Sequence, residues 1–507
     1  MSGEPVFAWP DAEHRFAVFA LSAVFAVQFG LFYSGASLVA AHVPWRFSVE
    51  LPLEGSVPFV PGAAVLYLAI TPILCSAPFI LRDLPGILPL YIAISVETAI
   101  AAVMFIAVPV AAPEPRLACE GLQSCAFSLA DAMNLSGNNM PSLHVALVIT
   151  AALAYSPRMP TRARPLLWLL CVAVVASTLL TRQHRVLDIV AGALLAWGAW
   201  HWARDRASRP ATLECVDVEL LCWQNYALFV RRNLRYLTVV VALLVRSVGQ
   251  YRARRVVRTG FCFLQAIDDV LDGDRRAEDD PLVLTDRLVA ELRSGRFGDA
   301  PLSRLARAFH DDLLARCGPA AVDSAIQLIR NMQSDFRRAS SGELWTEDHL
   351  ERHHRETFGL SVDLMLCANG NSIRSSDVPE LLDAFGWCST VRDLDDDLRR
   401  GLVNLPLEVL AQVAPEAREP QRLAADPAVD RWLRQGARRT LADVDRVRKR
   451  LATDCDRKGA RILDVFARSI RRYAQRWASA SRVTAAQSPD AGVAVYPQDQ
   501  PRRTSAP

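Results

Sequence analysis

The chain contains the stretch Met140-Pro-Ser-Leu-His144 and, further on, the stretch Ser177-Thr-Leu-Leu-Thr-Arg-Gln-His184-Arg-Val-Leu-Asp188. Each stretch stands at the start of an apolar run. Titratable side chains are costly at membrane depth, so their presence beside such runs indicates a functional site. His184 and Asp188 are four residues apart and therefore share one face of a helix. The pattern predicts a site at a membrane boundary, built from two histidines and a carboxylate.

These residue types fit phosphoryl transfer. The Asp188 carboxylate would hold the His184 imidazole in one tautomer, which leaves the second ring nitrogen free to attack phosphorus. His144 would protonate the leaving oxygen as a general acid. Ser142 and Arg182 are the nearest residues for binding the phosphate. The alternative is that both histidines only cap membrane helices.

Together, the two stretches resemble the type-2 phosphatidic acid phosphatase superfamily, in which a Pro-Ser-x-His element precedes a Ser-(x)n-His-x-x-x-Asp element. The resemblance implies a phosphohistidine phosphatase that acts on lipid phosphates without a cofactor. Leu143 replaces the family's glycine and Thr178 replaces its arginine. Arg82 or Arg116 would substitute for the first basic motif, and Arg82 is taken as a further phosphate-binding residue. The Thr-x-x-His form resembles the branch of inositol-phosphorylceramide synthases, which makes headgroup transfer an alternative to hydrolysis.

Apolar runs organise the first part of the chain. A helix that crosses a bilayer upright needs about 20 apolar residues, and polar boundary residues would complete the shorter runs. The sequence predicts six transmembrane helices, at about residues 16–41, 62–81, 87–110, 143–156, 166–181 and 187–203. The second part has helical periodicity and no alternating apolar–polar run. The predicted fold is therefore all-α, a six-span membrane bundle followed by a soluble helical domain.

Basic residues predict how the spans are oriented. One group of arginines falls on a single side of a six-span bundle, and the positive-inside rule assigns that side to the cytoplasm. Its members are Arg82, Arg158, Arg162, Arg164, Arg204, Arg206 and Arg209. We expect an integral protein of a bacterial cell membrane with both termini in the cytoplasm and the histidines on the outer side. Cys119 and Cys125 lie in an outward loop, either as a disulfide or as two free thiols.

Length and charge indicate more than one domain. The chain has 507 residues and a formal net charge of +3, which gives no reason to expect nucleic acid as a partner. Residues 1–210 are predicted to form the membrane domain and residues 211–480 the helical domain. Residues 481–507 have little apolar content and are predicted to be a disordered tail.

The second half carries acidic clusters in two segments, Phe261–Arg275 and Val391–Pro406. In each segment two aspartates stand four residues apart, on one face of a helix. Paired carboxylates that face each other across a bundle suit Mg²⁺, which prefers one or two carboxylates together with water and substrate oxygens. The alternative is a solvated acidic helix face. The predicted metal-binding residues are Asp268, Asp269, Asp272, Asp393, Asp396 and Asp397.

The two acidic segments resemble the squalene and phytoene synthase family over roughly residues 220–475. The matching patterns are Phe-x-x-x-x-x-Asp-Asp-x-x-Asp and Arg-Asp-x-x-x-Asp-x-Arg-Arg-Gly-x-x-x-Leu-Pro. The resemblance implies an all-helical isoprenoid synthase domain with Mg²⁺ as cofactor, prenyl diphosphates as substrates and Arg392 as a diphosphate-binding residue. Ser389 and Asn404 replace the family's Asn and Tyr, so the pocket is altered and cyclisation stays open beside head-to-head coupling.

The two resemblances together predict a membrane-tethered, bifunctional isoprenoid and lipid enzyme. One half would ionise a polyprenyl diphosphate with Mg²⁺, and the other would hydrolyse a lipid phosphate or diphosphate. Membrane lipids are the expected surroundings, and the oligomeric state stays open. Two alternatives remain: a headgroup transferase joined to a domain that makes its acceptor, and a prenyl-binding scaffold with a catalytically dead second domain.

Overall fold

The structure is a computed structural model that describes residues 5–111, 122–133, 138–277 and 279–479. Regular structure in these ranges is helical, apart from an isolated bridge between Phe47 and Val110. The all-α prediction is therefore confirmed for the described residues. Contacts divide the chain into two compact units, Met1–Leu221 and Cys222–Pro507. Arg116, Cys119 and the predicted tail 481–507 lie outside the described residues.

The first unit is built around one central helix. Helix α7 is buried along most of its length and packs against α5, α8 and α9, while α1 packs against α5. The helices of this unit are α1 (Ala12–Ala41), α2 (Ala64–Leu68), α3 (Ile70–Cys75), α4 (Ala77–Ile80), α5 (Leu84–Ala107), α6 (Leu122–Met133), α7 (Leu143–Tyr155), α8 (Arg164–Leu180) and α9 (Val186–Ala207).

Three of the described helices are long and apolar enough to cross a membrane. They are α1, α5 and α9, with 30, 24 and 22 residues and mean hydropathies of 2.0, 2.1 and 1.3 over their most apolar windows. Large apolar side chains such as Val24, Val27 and Leu31 on α1 are exposed. Exposed apolar faces on helices of this length fit a membrane-associated unit.

The prediction of six spans is corrected to three in the described residues. The predicted span 62–81 is broken into α2, α3 and α4, of 5, 6 and 4 residues, because Pro72 and Pro78 each remove a backbone donor. Helix α7 has 13 residues and α8 has 17. At 1.5 Å per residue, 13 residues rise only about 20 Å, whereas a hydrocarbon core is about 30 Å thick. Helix α7 is apolar because most of its surface packs within the unit, whereas α8 keeps Leu166, Leu169 and Val172 exposed.

The first unit has two distinct ends. Helices α7 and α9 both begin at the end that carries the histidines, the histidine end, where the Ser142 amide donates to the Asp188 carbonyl over 3.0 Å. At the opposite end, the arginine end, Arg158 follows α7 and pairs with Asp83 over 2.9 Å. Helix α9 also finishes at the arginine end, since Ala207 packs with Leu84 and Leu88 of α5.

The second unit is a helical bundle. Helix α10 (Pro210–Arg232) runs across the division between the units and leads into the bundle. The longer helices that follow are α11 (Arg235–Ser247), α12 (Arg255–Leu271), α13 (Pro281–Ser294), α14 (Pro301–Cys317), α15 (Pro319–Ser341), α16 (Glu347–Ala368) and α17 (Pro379–Arg400). The chain ends its described part with α18 (Leu407–Leu410), α19 (Pro420–Leu423), α20 (Pro427–Leu451) and α21 (Arg457–Ser479).

Two buried apolar clusters hold the second unit together around α17. One packs α17 against α20 and the loop helices α18 and α19, and the other packs α16 and α17 against α20 and α21. Helices α20 and α21 run antiparallel, as shown by ion pairs between Arg448 and Asp464 and between Arg471 and Asp445. Because α17 is anchored on several sides, its acidic segment is held on a rigid element.

Two candidate active sites

His144 is fixed on the first turn of α7. Ser142 caps this helix, since its Oγ accepts from the Val145 amide over 3.4 Å, and such a cap fixes the direction of the first turn. The Tyr67 ring stacks on the His144 imidazole with centroids 4.0 Å apart. The Tyr67 hydroxyl lies 3.2 Å from His144 Nδ1. Nδ1 is therefore engaged with the tyrosine, which leaves Nε2 as the nitrogen for acid–base chemistry.

His184 is placed by a turn after α8. Arg182 adopts a φ of +52°, a conformation that ends a helix and reverses the chain. The amides of Gln183 and His184 then both donate to the Thr178 carbonyl over 3.1 Å. This turn places His184 next to the end of α8. The centroids of the His184 and His144 imidazole rings are 5.9 Å apart. The structure thus brings together the two histidines that the sequence places forty residues apart.

Asp188 lies beside His184, although the two do not share a helix: α9 begins at Val186, and His184 lies in the turn before it. Asp188 Oδ2 is 3.7 Å from His184 Nδ1, and both side chains are almost fully buried. The same oxygen accepts from the Arg185 amide over 2.9 Å, which fixes the carboxylate. Among the described residues, both His184 ring nitrogens and Asp188 Oδ1 are buried without a hydrogen-bond partner. Buried polar atoms normally find partners, so a polar substrate group fits this site.

The histidine end gathers two helix N-termini. The first turns of α7 and α9 approach closely because Gly192 on α9 lacks a side chain: a Cβ there would lie 2.5 Å from the Ser142 carbonyl oxygen. Helix N-termini carry partial positive charge and attract phosphate groups. The two aligned N-termini therefore add favourable electrostatics for an anion beside the histidines.

The arginines at this end differ partly from those predicted. Arg182 lies in the turn, and its guanidinium donates to the Val57 carbonyl over 3.1 Å. Arg185, which the sequence analysis left without a role, is nearly buried, and its Nη1 lies 3.1 Å from Glu50 Oε2. Its signal in the sequence is its position directly after His184. Both arginines flank His184 within two residues in the chain.

The structure does not bring Arg82 to the histidines. Its guanidinium donates to the Pro5 carbonyl, and its neighbour Asp83 pairs with Arg158 at the arginine end. The 13 residues of α7, about 20 Å of helix, separate that end from His144. The prediction that Arg82 binds phosphate is therefore wrong. Arg82 has the right charge, but it lies at the arginine end of the bundle and not at the histidine end.

In the second unit, the two acidic segments meet. Asp268 and Asp272 at the end of α12, and Asp393 and Asp397 on α17, all line one cavity of about 700 Å³. We call it the aromatic cavity, because phenylalanines and other apolar side chains form part of its wall. These apolar residues are Phe261, Leu264, Leu328, Met332, Phe336 and Phe358. A cavity of this size with convergent polar groups is typical of small-molecule sites.

A second cavity of about 720 Å³ shares the same four carboxylates. We call it the polar cavity, because arginines and aspartates dominate its wall. Arg400 joins the two acidic segments directly, with Nη1 2.7 Å from Asp272 Oδ2 and Nη2 3.0 Å from Asp274 Oδ2. Arg232 reaches Asp274 over 3.1 Å. Arg232 and Arg400 were not predicted, although Arg400 stands inside the quoted motif.

Burial and crowding of negative charge raise the pKa values of these carboxyl groups. Burial, followed by the charges of Asp272 and Asp269, raises the pKa of Asp268 to about 7. Burial, followed by the charges of Asp393 and of Asp272 on the facing helix, raises the pKa of Asp397 to about 7. A bound cation would relieve this repulsion. Charge crowding across two helices is thus consistent with the predicted ion.

The donor set fits a metal shared with substrate. Among the described residues, no group of three or more His, Cys, Asp or Glu side chains is positioned to hold a metal ion. Mg²⁺ does not require such a cage, since it usually keeps waters and substrate oxygens. The four aspartates from two helices are therefore the residues that would hold Mg²⁺, whereas a structural zinc site would need closed coordination.

Two of the predicted metal residues do not line the aromatic cavity. Asp269 is buried and lines neither cavity; its Oδ1 lies 2.5 Å from Arg232 and accepts from Gln265 over 2.9 Å. Asp396 is exposed, pairs with Arg399 and lines only the polar cavity. Neighbouring aspartates on a helix point about 100° apart, so Asp268 and Asp397 line the aromatic cavity while their neighbours Asp269 and Asp396 do not.

Other polar groups complete the walls. Arg392 lines both cavities, and its Nε donates to Asp393 over 2.9 Å. Gly401 has a φ of +86°, and a Cβ there would lie 2.7 Å from the Ala339 carbonyl oxygen. This tight turn returns the chain so that Asn404 donates to Asp397 over 3.0 Å. Asn404, noted as a departure from the family pattern, thus contacts the acidic cluster itself.

Comparison with family models assigns each half. Residues 40–202 match the model described as the PAP2 superfamily, and residues 244–490 match the model described as squalene/phytoene synthase. No curated protein and no solved structure matched the chain. The resemblance predicted for each half from its motifs is confirmed, so the chain joins a PAP2-type half to a squalene/phytoene-synthase-type half.

Proposed function

We propose that this chain is a bifunctional membrane enzyme that ionises a polyprenyl diphosphate in its second unit and hydrolyses a lipid phosphate in its first. The observation that carries the proposal is the meeting of four carboxylates from two helices at one cavity with an apolar wall. A cavity lined by both charged and aromatic groups matches a molecule with a diphosphate head and a hydrocarbon chain.

Ionisation breaks the allylic C–O bond of the prenyl diphosphate, and the diphosphate leaves with the bonding electrons. When bound at Asp268, Asp272, Asp393 and Asp397, Mg²⁺ would supply positive charge that stabilises this leaving group. Arg392, which lines both cavities, would bind its oxygens. The aromatic wall excludes water from the cation, which then either couples to a second prenyl chain or cyclises and loses a proton.

In the first unit, His184 would act as the nucleophile. Asp188 lies at Nδ1, so the attack on phosphorus falls to Nε2, which forms a P–N bond as the P–O bond to the lipid breaks. His144 would give its proton to the departing oxygen, and water would then cleave the P–N bond and release phosphate. Arg182, Arg185 and the N-termini of α7 and α9 would hold the phosphate oxygens.

The product of the second unit is the direct test. The full chain with His184→Ala, which removes the phosphatase, should be incubated with Mg²⁺ and C10 to C20 prenyl diphosphates and analysed by mass spectrometry. Coupling predicts a product with the carbon number of two substrates, and cyclisation predicts a hydrocarbon or alcohol with the carbon number of one. Unchanged substrate at every chain length would contradict the proposal and favour a prenyl-binding scaffold.

The charge distribution supports an orientation with the histidine end outside the cell and the second unit in the cytoplasm. A membrane-impermeant thiol reagent should then label Cys125 in intact cells and spare Cys455. Both thiols are exposed, so their difference reports sidedness, and permeabilised cells should show labelling of both. The reverse pattern in intact cells would overturn the orientation.

In the proposed orientation, the two sites open to opposite faces of the membrane. They therefore act on different lipids, or on one lipid that moves from one leaflet to the other.

A further inference from the structure

Helix α11 presents an apolar face that the described residues of the second unit leave exposed. Its buried face includes Tyr236, Val240 and Ser247, at the spacing of one helical face. The opposite face is solvent-exposed and almost entirely apolar, with exposed fractions that reach 65% at Val245 and 79% at the adjoining Val248. The large exposed apolar residues of this face are Leu234, Leu237, Val239, Val241, Val245 and Val248. An apolar surface of this extent marks an interaction site.

The charge around this face is positive. Residues 231–255 contain seven arginines and no aspartate or glutamate: Arg231, Arg232, Arg235, Arg246, Arg252, Arg254 and Arg255. Three of them, Arg231, Arg246 and Arg252, are exposed. Burial and then the charges of Arg246 and Arg316 lower the pKa of Arg254. An apolar face bordered by arginines is complementary to a bilayer with anionic headgroups.

The same helix borders the diphosphate site. Tyr236 and Val239 line the polar cavity together with Asp268 and Asp393. A hydrocarbon chain that lies along α11 would therefore have its diphosphate at the carboxylates. Helix α11 has 13 residues, too few to span a bilayer, so a position in the membrane interface is the arrangement that fits its length and its terminal arginines.

We propose that α11 and the arginines around it dock the second unit on an anionic bilayer surface, and that prenyl diphosphate passes from the membrane along α11 into the polar cavity. The docking follows from the surface of the helix alone. The delivery of substrate rests on the proposed function of the second unit, so each part needs its own readout.

Lipid contact can be measured in the full chain in membranes that contain phosphatidylglycerol. A photo-crosslinking amino acid, p-benzoylphenylalanine, replaces Val241 or Val245, and the matched controls carry it at Val283 or Val465. These control valines belong to the same unit and are 58% and 53% exposed. We expect lipid adducts at positions 241 and 245 and none at 283 and 465. Adducts to a second copy of the chain, equal lipid adducts at the controls, or no adduct at α11 would overturn the docking.

Substrate delivery is tested with charge on the same face. The double variant Val241→Asp/Val245→Asp should raise KM for a C20 prenyl diphosphate in anionic vesicles by about tenfold or more, because carboxylates oppose insertion into the interface. KM for a soluble C10 diphosphate should stay unchanged, as should both values for Val283→Asp/Val465→Asp. An unchanged C20 KM would overturn the delivery. If the wild-type chain crosslinks to lipid but turns over no diphosphate, the docking stands and the proposed catalysis fails.

Discussion

Replacing Asp268 and Asp393 together by alanine is expected to abolish Mg²⁺-dependent consumption of prenyl diphosphate, a loss on the order of 10³-fold or more. Each residue is one member of the carboxylate pair on its own helix, and both line the two cavities. Without them, the departing diphosphate would lose the positive charge that stabilises it in an apolar cavity. The measurement is pyrophosphate release by the purified full chain with Mg²⁺ and a C15 or C20 prenyl diphosphate.

A matched control separates the metal site from general acidity. Asp396→Ala removes an aspartate of the same segment that is exposed and does not line the aromatic cavity, so it should cost far less activity than the double variant. Release of orthophosphate from a lipid phosphate should be unchanged in every one of these variants. Undiminished diphosphate turnover in the double variant would show that the four aspartates form an acidic surface without a metal.

His184→Ala is expected to reduce lipid phosphate hydrolysis by about 10³-fold or more, because it removes the nucleophile. Asp188→Asn should reduce it by about 10²-fold or more, since an amide cannot stabilise the charged imidazole and does not hold its tautomer. The readout is orthophosphate release from a lipid phosphate in detergent, with a chelator present.

The same chain offers a control for this site. His201 lies near the opposite end of α9, and its Nδ1 is 2.8 Å from the Trp197 carbonyl oxygen. His201→Ala should therefore keep near-normal phosphatase activity. All three variants should retain the Mg²⁺-dependent activity of the second unit, which reports that the chain is folded. Normal hydrolysis by His184→Ala would contradict the phosphohistidine mechanism.

Local spacing predicted much of both sites. The i, i+4 spacing placed Asp268 with Asp272 and Asp393 with Asp397 on common walls. These two relations depend on helix geometry alone, so the sequence contains them. His184 and Asp188 also come to 3.7 Å, but through the turn that precedes α9. The separation into a PAP2-type and a synthase-type half also followed from motifs, and the family models match both.

Relations between distant segments could not be predicted in the same way. Arg82 has the right charge, but only the packing of α5 on α7 shows that it lies at the arginine end. Arg400 joins the acidic segments through a contact with Asp272 that crosses between two helices. The number of spans was overestimated for a related reason: hydropathy does not distinguish a helix that faces lipid from a short one, such as α7, that is buried by its neighbours.

The central claim is that one chain carries two chemically independent sites. Its most direct test uses the purified full-length protein with a C15 or C20 prenyl diphosphate and a phosphatidic acid in the same reaction, with Mg²⁺ or with a chelator. Pyrophosphate and orthophosphate are then quantified separately by ³¹P NMR. We predict that the chelator stops pyrophosphate release and leaves orthophosphate release intact, because only the carboxylate site uses a metal. Loss of both products with the chelator, or persistence of both, would contradict the account.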